Sequence, residues 1–217
     1  MKKMNAAAAS LMNDSFRKIL FSNPVLVGGM VVGEIIIGAT SLQNAVALSI
    51  TFAIVTIPVL LLAPLIAYFV PKTWRILCYA FVSMSMLFTA QAAVAPISPT
   101  IFDSLGIYLP LLALNTVVVA YSRLISEEKG VVFNLLDGIC FSLGFLIVAV
   151  LIGGIRELFG SGTLWGYEIL QRKASALKLP FSGFLIAGFL AAAVEGLRIV
   201  FRAKPYEHFS GGKEDQK

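Results

Sequence analysis

Few charged side chains interrupt the long apolar stretches of this chain, and they are the residues with chemistry to offer. Among them are Glu34, Asp137, the adjacent Arg156 and Glu157, and Glu195 with Arg198 three residues further on. A charge at membrane depth is expensive and calls for either a function or a structural partner. Glu34 stands in an apolar segment, residues 24–39, that is interrupted by Gly28, Gly29, Gly33 and Gly38. Two readings of Glu34 stand side by side. As a proton- or cation-binding carboxylate, it would be helped by backbone carbonyls freed at the break. Gly33 would permit close approach, and Asn115 and Thr116 from a second interrupted segment would add neutral oxygens, a donor set suited to a hard cation or a proton. As a helix-end carboxylate, it would instead take hydrogen bonds from unpaired N–H groups.

The other charges read as structural. Asp137 lies early in the apolar run 131–155 and either caps a helix or pairs with Arg123. Arg156-Glu157 ends that run and tethers the Gly160-Ser161-Gly162 turn. Glu195 and Arg198 are neighbours on one helical face and form a local ion pair. The two cysteines, Cys78 and Cys140, fall inside apolar runs, where a free thiol behaves as a small hydrophobe. His208, the single histidine, lies in a polar tail, so no metal site is expected. The stretch Gly160-Ser161-Gly162-Thr163 is too short for a nucleotide-binding fingerprint, and no strand precedes it.

Of 217 residues, 58% are hydrophobic and only 13% are charged, which sets the chain apart from ordinary soluble domains. The apolar residues fall into six runs, 24–39, 42–70, 74–94, 105–121, 131–155 and 179–200. Backbone in hydrocarbon must satisfy its own hydrogen bonds, so such runs are read as helices. A regular span needs about 20 apolar residues. The first and fourth runs hold 16 and 17, the fourth being interrupted by Pro110 and Asn115-Thr116. The sequence therefore predicts an all-α integral membrane protein of six transmembrane helices, arranged as two inverted three-helix repeats with the first and fourth helices broken. Matched interruptions in two halves point to a site near the bilayer midplane.

Residues 1–22 form an amphipathic N-terminal segment, 23–201 the membrane domain with repeats at about 23–97 and 104–201, and 202–217 a polar tail. Twelve Lys and Arg residues fall in the termini, the second loop and the fourth loop, against four in the opposite loops. That asymmetry puts both termini in the cytoplasm. The net charge of +5 is then membrane anchoring, with no nucleic-acid surface implied.

The second half resembles the RnfE/NqrD family, membrane subunits of the Rnf complex and of Na⁺-translocating NADH:quinone reductase. Ser104-Leu105-Gly106-Ile107-Tyr108-Leu109-Pro110-Leu111 is similar to the family's "SLGIFIPL" entry, and Leu136-Asp137-Gly138 to its "LDG". Ile155-Arg156-Glu157-Leu158 followed by Gly160-Ser161-Gly162-Thr163-Leu164 resembles "IRE-(I/L)-x-G-x-GTL". Asn23-Pro24-Val25-Leu26-Val27 and Asn44-Ala45 match in the first half. The resemblance implies a bacterial inner-membrane subunit with a sister subunit of opposite orientation (RnfA/NqrE-like) and further Rnf/Nqr-type subunits as partners. It implies redox chemistry, starting from NADH or ferredoxin, coupled to Na⁺ or H⁺ transport, with this chain a non-catalytic scaffold and ion path.

The family also carries one cysteine in each broken segment, in "GLCP" and "TNC", and shares a [2Fe–2S] cluster with the sister subunit through four thiolates. Here Gly33 and Thr116 stand at those positions, and of the second motif only Asn115 remains. The expectation is that this chain alone binds no cofactor. A cofactor-free ion or small-solute carrier of the same fold, and a purely structural membrane partner, are the alternative functions.

Overall fold

The computed structural model describes residues 25–26, 29, 31–97, 103, 108–113, 115, 131–171 and 173–200. Six α-helices lie among them: α1 (Val32–Gly38), α2 (Leu42–Phe69), α3 (Lys72–Val94), α4 (Tyr108–Ala113), α5 (Val131–Ser161) and α6 (Pro180–Val200). A two-stranded hairpin, β1 (Thr163–Leu164) with β2 (Tyr167–Glu168), and a 3₁₀ turn (Ser175–Lys178) connect α5 to α6. Four helices, α2, α3, α5 and α6, are long and apolar enough to cross a membrane. The order short, long, intermediate occurs twice along the chain: helices of 7, 28 and 23 residues, then of 6, 31 and 21.

The centre of the molecule is the antiparallel pair α2–α5. At one end Gly153 meets Ser41 and Ala45; a Cβ there would stand 2.8 Å from both the Ser41 carbonyl oxygen and the Ala45 Cβ. Midway, the rings of Phe52 and Phe145 stack with centroids 4.3 Å apart. At the other end Gly138 packs on Ile57 and Leu60. Leu48, Leu60, Val148 and Ile152 complete the contact as fully enclosed side chains.

Local chemistry sets the limits of α2. Its N-cap is Ser41, whose Oγ accepts from the Asn44 N–H at 3.2 Å. At the other end the buried Arg75 donates from Nε to the Val70 carbonyl and from Nη2 to the Ala67 carbonyl, both at 2.9 Å. Carbonyls that have no partner in a helix end are thereby satisfied by a cation. Pro58 and Pro64 lie inside α2, and neither has an N–H to offer the carbonyl four residues earlier.

The structure corrects the sequence reading at α5. The helix does not stop at Ile155 but continues to Ser161, so Arg156 and Glu157 belong to the helix rather than to a loop. Both side chains find protein partners and have no need to reach water. The helix stops where Gly162 adopts φ +73°, with its N–H donating to the Leu158 carbonyl at 3.1 Å. A Cβ on Gly162 would fall 2.3 Å from the Leu170 carbonyl oxygen.

Helix α6 meets α1 where Gly183 packs on Ile36; an added Cβ would stand 3.0 Å from Ile36 Cγ2. Otherwise α3 and α6 leave large apolar side chains uncovered, among them Trp74, Phe81 and Phe88 on α3 and Phe184 and Phe189 on α6. Arg198 and Glu195 on α6 pair as expected, although both remain partly exposed.

Candidate functional site

The first break is built by two left-handed residues ahead of a very short helix. Gly29 takes φ +62° and Val31 φ +59°. For Val31 this is costly, because a β-branched side chain in the left-handed region crowds its own carbonyl. The strain is held by burial, since Val31 is 2% exposed and part of the central core. Helix α1 then runs for only seven residues, with Glu34 in its first turn. Glu34 is half-buried in that first turn. That is the position where an anion meets the positive end of a helix. Gly33 is exposed, and nothing lies within 4 Å of a Cβ built on it.

The second break contributes α4, six residues long, and α4 touches α1. Asn115, just past α4, is 1% exposed. Its Nδ2 donates to the Leu112 carbonyl at 2.9 Å and to Thr56 Oγ1 on α2 at 3.2 Å. Its amide nitrogen therefore pins the second break to the centre of α2. Thr116 lies outside the described residues, as do Arg123 and His208.

The Arg156-Glu157 pair holds the far side of the first break. Arg156 is completely enclosed. Its Nη1 donates to the carbonyls of Ile36 at 2.6 Å and Ala39 at 3.0 Å, at the C-terminal end of α1. From the same guanidinium, Nη2 reaches the Lys178 carbonyl at 2.7 Å and Nε the Leu177 carbonyl at 3.3 Å. Glu157 serves the next helix: its Oε2 accepts from the Leu42 N–H at 2.7 Å, at the start of α2. Its Oε1 accepts from Thr163 Oγ1 at 3.2 Å and the Gly166 N–H at 3.1 Å. The sequence reading placed the tether at the Gly160-Ser161-Gly162 turn; Gly160 and Ser161 instead belong to α5, and Glu157 reaches Thr163 and Gly166 beyond it. The long-range grip on α1 and α2 was not foreseen, since backbone carbonyls and N–H groups leave no mark in a sequence.

Asp137 is buried on α5 at 5% exposure, and its suggested partner Arg123 is outside the described residues. Cys78 and Cys140 lie on α3 and α5, outside both breaks, and neither forms a disulfide. Sequence reasoning missed Thr56 as the anchor of Asn115, and it missed Asn134, a buried amide on α5. Both stand in apolar runs, where a single polar residue is easily read as incidental.

The residues at the resembled cluster positions do not fit a [2Fe–2S] group. Gly33 offers space but no ligand atom, and a threonine hydroxyl at position 116 is not a thiolate.

Compared with known proteins, residues 11–201 match the family model described as Rnf-Nqr subunit, membrane protein. The chain is 29% identical over 187 residues to a subunit of the ion-translocating oxidoreductase complex of Shewanella oneidensis, covering 79% of this chain and 81% of that protein. It is 30% identical over 150 residues to the like-named protein of Shewanella loihica, covering 69% and 65%. It is 28% identical over 183 residues to a subunit of the Na⁺-translocating NADH-quinone reductase of Pseudoalteromonas atlantica, covering 81% and 87%.

Proposed function

The chain belongs to the Rnf-Nqr family of membrane subunits, and on that footing we propose that it serves in an Rnf/Nqr-type ion-translocating electron-transport complex as scaffold and ion path. The observation that carries this reading is the meeting of the two breaks. Helices α1 and α4 are too short to cross a bilayer, yet they touch, and each is tied to α2 or α5 by buried polar groups. Broken backbone at membrane depth is tolerated where it is buried in protein or lines a cavity. Half-helix ends at such a place are where transported ions are met. On this reading Glu34 is the intramembrane stop for Na⁺ or H⁺, with Gly33 giving access and Asn115 and Thr116 supplying the opposing polar groups.

The six segments are read as two inverted three-helix repeats, supported by the repeated order of helix lengths and the antiparallel course of α2 and α5. Both termini face the cytoplasm of a bacterium across its inner membrane, following the distribution of Lys and Arg. A sister subunit of opposite orientation covers the apolar faces of α3 and α6. No cluster ligand comes from this chain, because Gly33 and Thr116 replace both cysteines. That same replacement favours a second reading, a cofactor-free ion carrier of this fold.

Glu34→Gln separates the roles of the carboxylate, since it keeps size and hydrogen bonding while removing charge. In vesicles containing the native assembly, the expected result is normal assembly with impaired cation or proton uptake driven by an electron donor. Unchanged uptake in the assembled variant would return Glu34 to helix capping. Uptake that proceeds without any electron donor would favour the carrier.

A further inference from the structure

Asn134 lies in the first turn of α5 and is completely enclosed, and among the described residues neither its Nδ2 nor its Oδ1 has a hydrogen-bond partner. Leaving both ends of a carboxamide unmade in the interior is costly, and native structures seldom do so. We propose that Asn134 is the anchor of an internal water site between α5 and α2. The chemistry of the side chain selects the ligand. A bare cation would satisfy Oδ1 and repel the Nδ2 hydrogens, whereas an anion would satisfy only Nδ2. A side chain from another subunit cannot reach an amide with 0% exposure. Water both donates and accepts, and it is small enough for an enclosed place.

The surroundings supply the further polar partners such a water needs. Asp137 is buried one turn along the same face of α5. Across from it, Gly138 packs on Ile57 and Leu60, and α2 and α5 run antiparallel, so Asn134 lies about one turn nearer Pro64. Pro64 has no N–H for the Leu60 carbonyl, which places an acceptor without its usual helical donor at that level. The site stands at the end of α5 away from Arg156 and does not involve Glu34. Its failure would leave the ion-path reading untouched.

An experimental map of the native assembly, at a resolution that shows ordered water, tests this directly. The expected result is solvent density at about 2.7–3.2 Å from both Asn134 Nδ2 and Oδ1. A carboxamide packed only against apolar atoms, or bonded to protein at both ends, would overturn it. Asn134→Leu gives an independent reading of sign on the same assembly. Removing an unsatisfied amide is neutral or stabilising, whereas removing a water-linked one is destabilising. The expected result is a lowered thermal midpoint, and an unchanged or raised midpoint would overturn the proposal.

Discussion

Arg156 and Glu157 are adjacent in sequence and serve opposite helix ends. The cation meets the C-terminal carbonyls of α1 and the anion meets the N-terminal N–H of α2, so each charge complements a helix dipole. The loop between the two helices is thereby fixed without a direct ion pair. Arg156→Lys keeps the charge but loses the planar fork that reaches four carbonyls, and should destabilise the assembled protein by about 2–4 kcal/mol. The Glu157 carboxylate accepts from the Leu42 and Gly166 N–H groups and the Thr163 hydroxyl, so Glu157→Gln turns an amide N–H₂ toward a donor and should cost about 1–3 kcal/mol. Thermal melts of the two variants check both values; a wild-type midpoint in either would remove that residue from the clamp. Cys78→Ser and Cys140→Ser should leave the iron content of the native assembly unchanged, since both thiols lie outside the breaks. A stoichiometric loss of iron and labile sulfide in either variant would show that a cluster uses them. At this scale the sequence singled out Arg156 and Glu157 but not what they touch. The partners of Arg156 are peptide carbonyls up to 120 residues away, and any residue type could provide them.

Among the elements, α2 and α5 make the frame on which both breaks are hung. Their closest approach depends on Gly153, where the space for a Cβ is already occupied by the Ser41 carbonyl and Ala45. Gly153→Ala must push the two helices apart or bend one of them, at a cost of about 1–3 kcal/mol. The shift would act on the α1–α2 loop that Glu157 holds. Reduced thermal stability of the assembly is the expected outcome, and a neutral effect would mean that the two helices can part here without loss. The bounds of α2, α3 and α6 were readable to within a residue or two, because an apolar run in a bilayer has few alternatives to a helix. The glycines of the first segment marked a place where the backbone turns left-handed, at Gly29 and Val31, while most of the second segment lies outside the described residues. The last turns of α5 were not, because two charges after an apolar run look like the end of a span. They are instead neutralised by the ends of other helices, information carried by tertiary packing.

For the whole molecule, the clamp fixes which helix ends lie together. The α1–α2 loop and the hairpin after α5 are joined by Glu157, so they share a side, while the α2–α3 turn lies at the other end of α2. Cysteine labelling from the two faces of the membrane should find Lys72→Cys reactive from the cytoplasm and Tyr167→Cys from outside. Reaction of both from one face would end the inverted-repeat reading. The apolar surface of α3 and α6 was legible as apolar, but its partner was not, since lipid and protein select similar residues. The central claim is that this chain works within an electron-transport assembly that moves ions, and capture of the affinity-tagged chain from its own membranes tests it most directly. The captured material, reconstituted in vesicles, should be a larger complex that takes up Na⁺ or H⁺ when an electron donor is supplied. A monodisperse single chain, or a complex whose ion uptake ignores the electron donor, would contradict it.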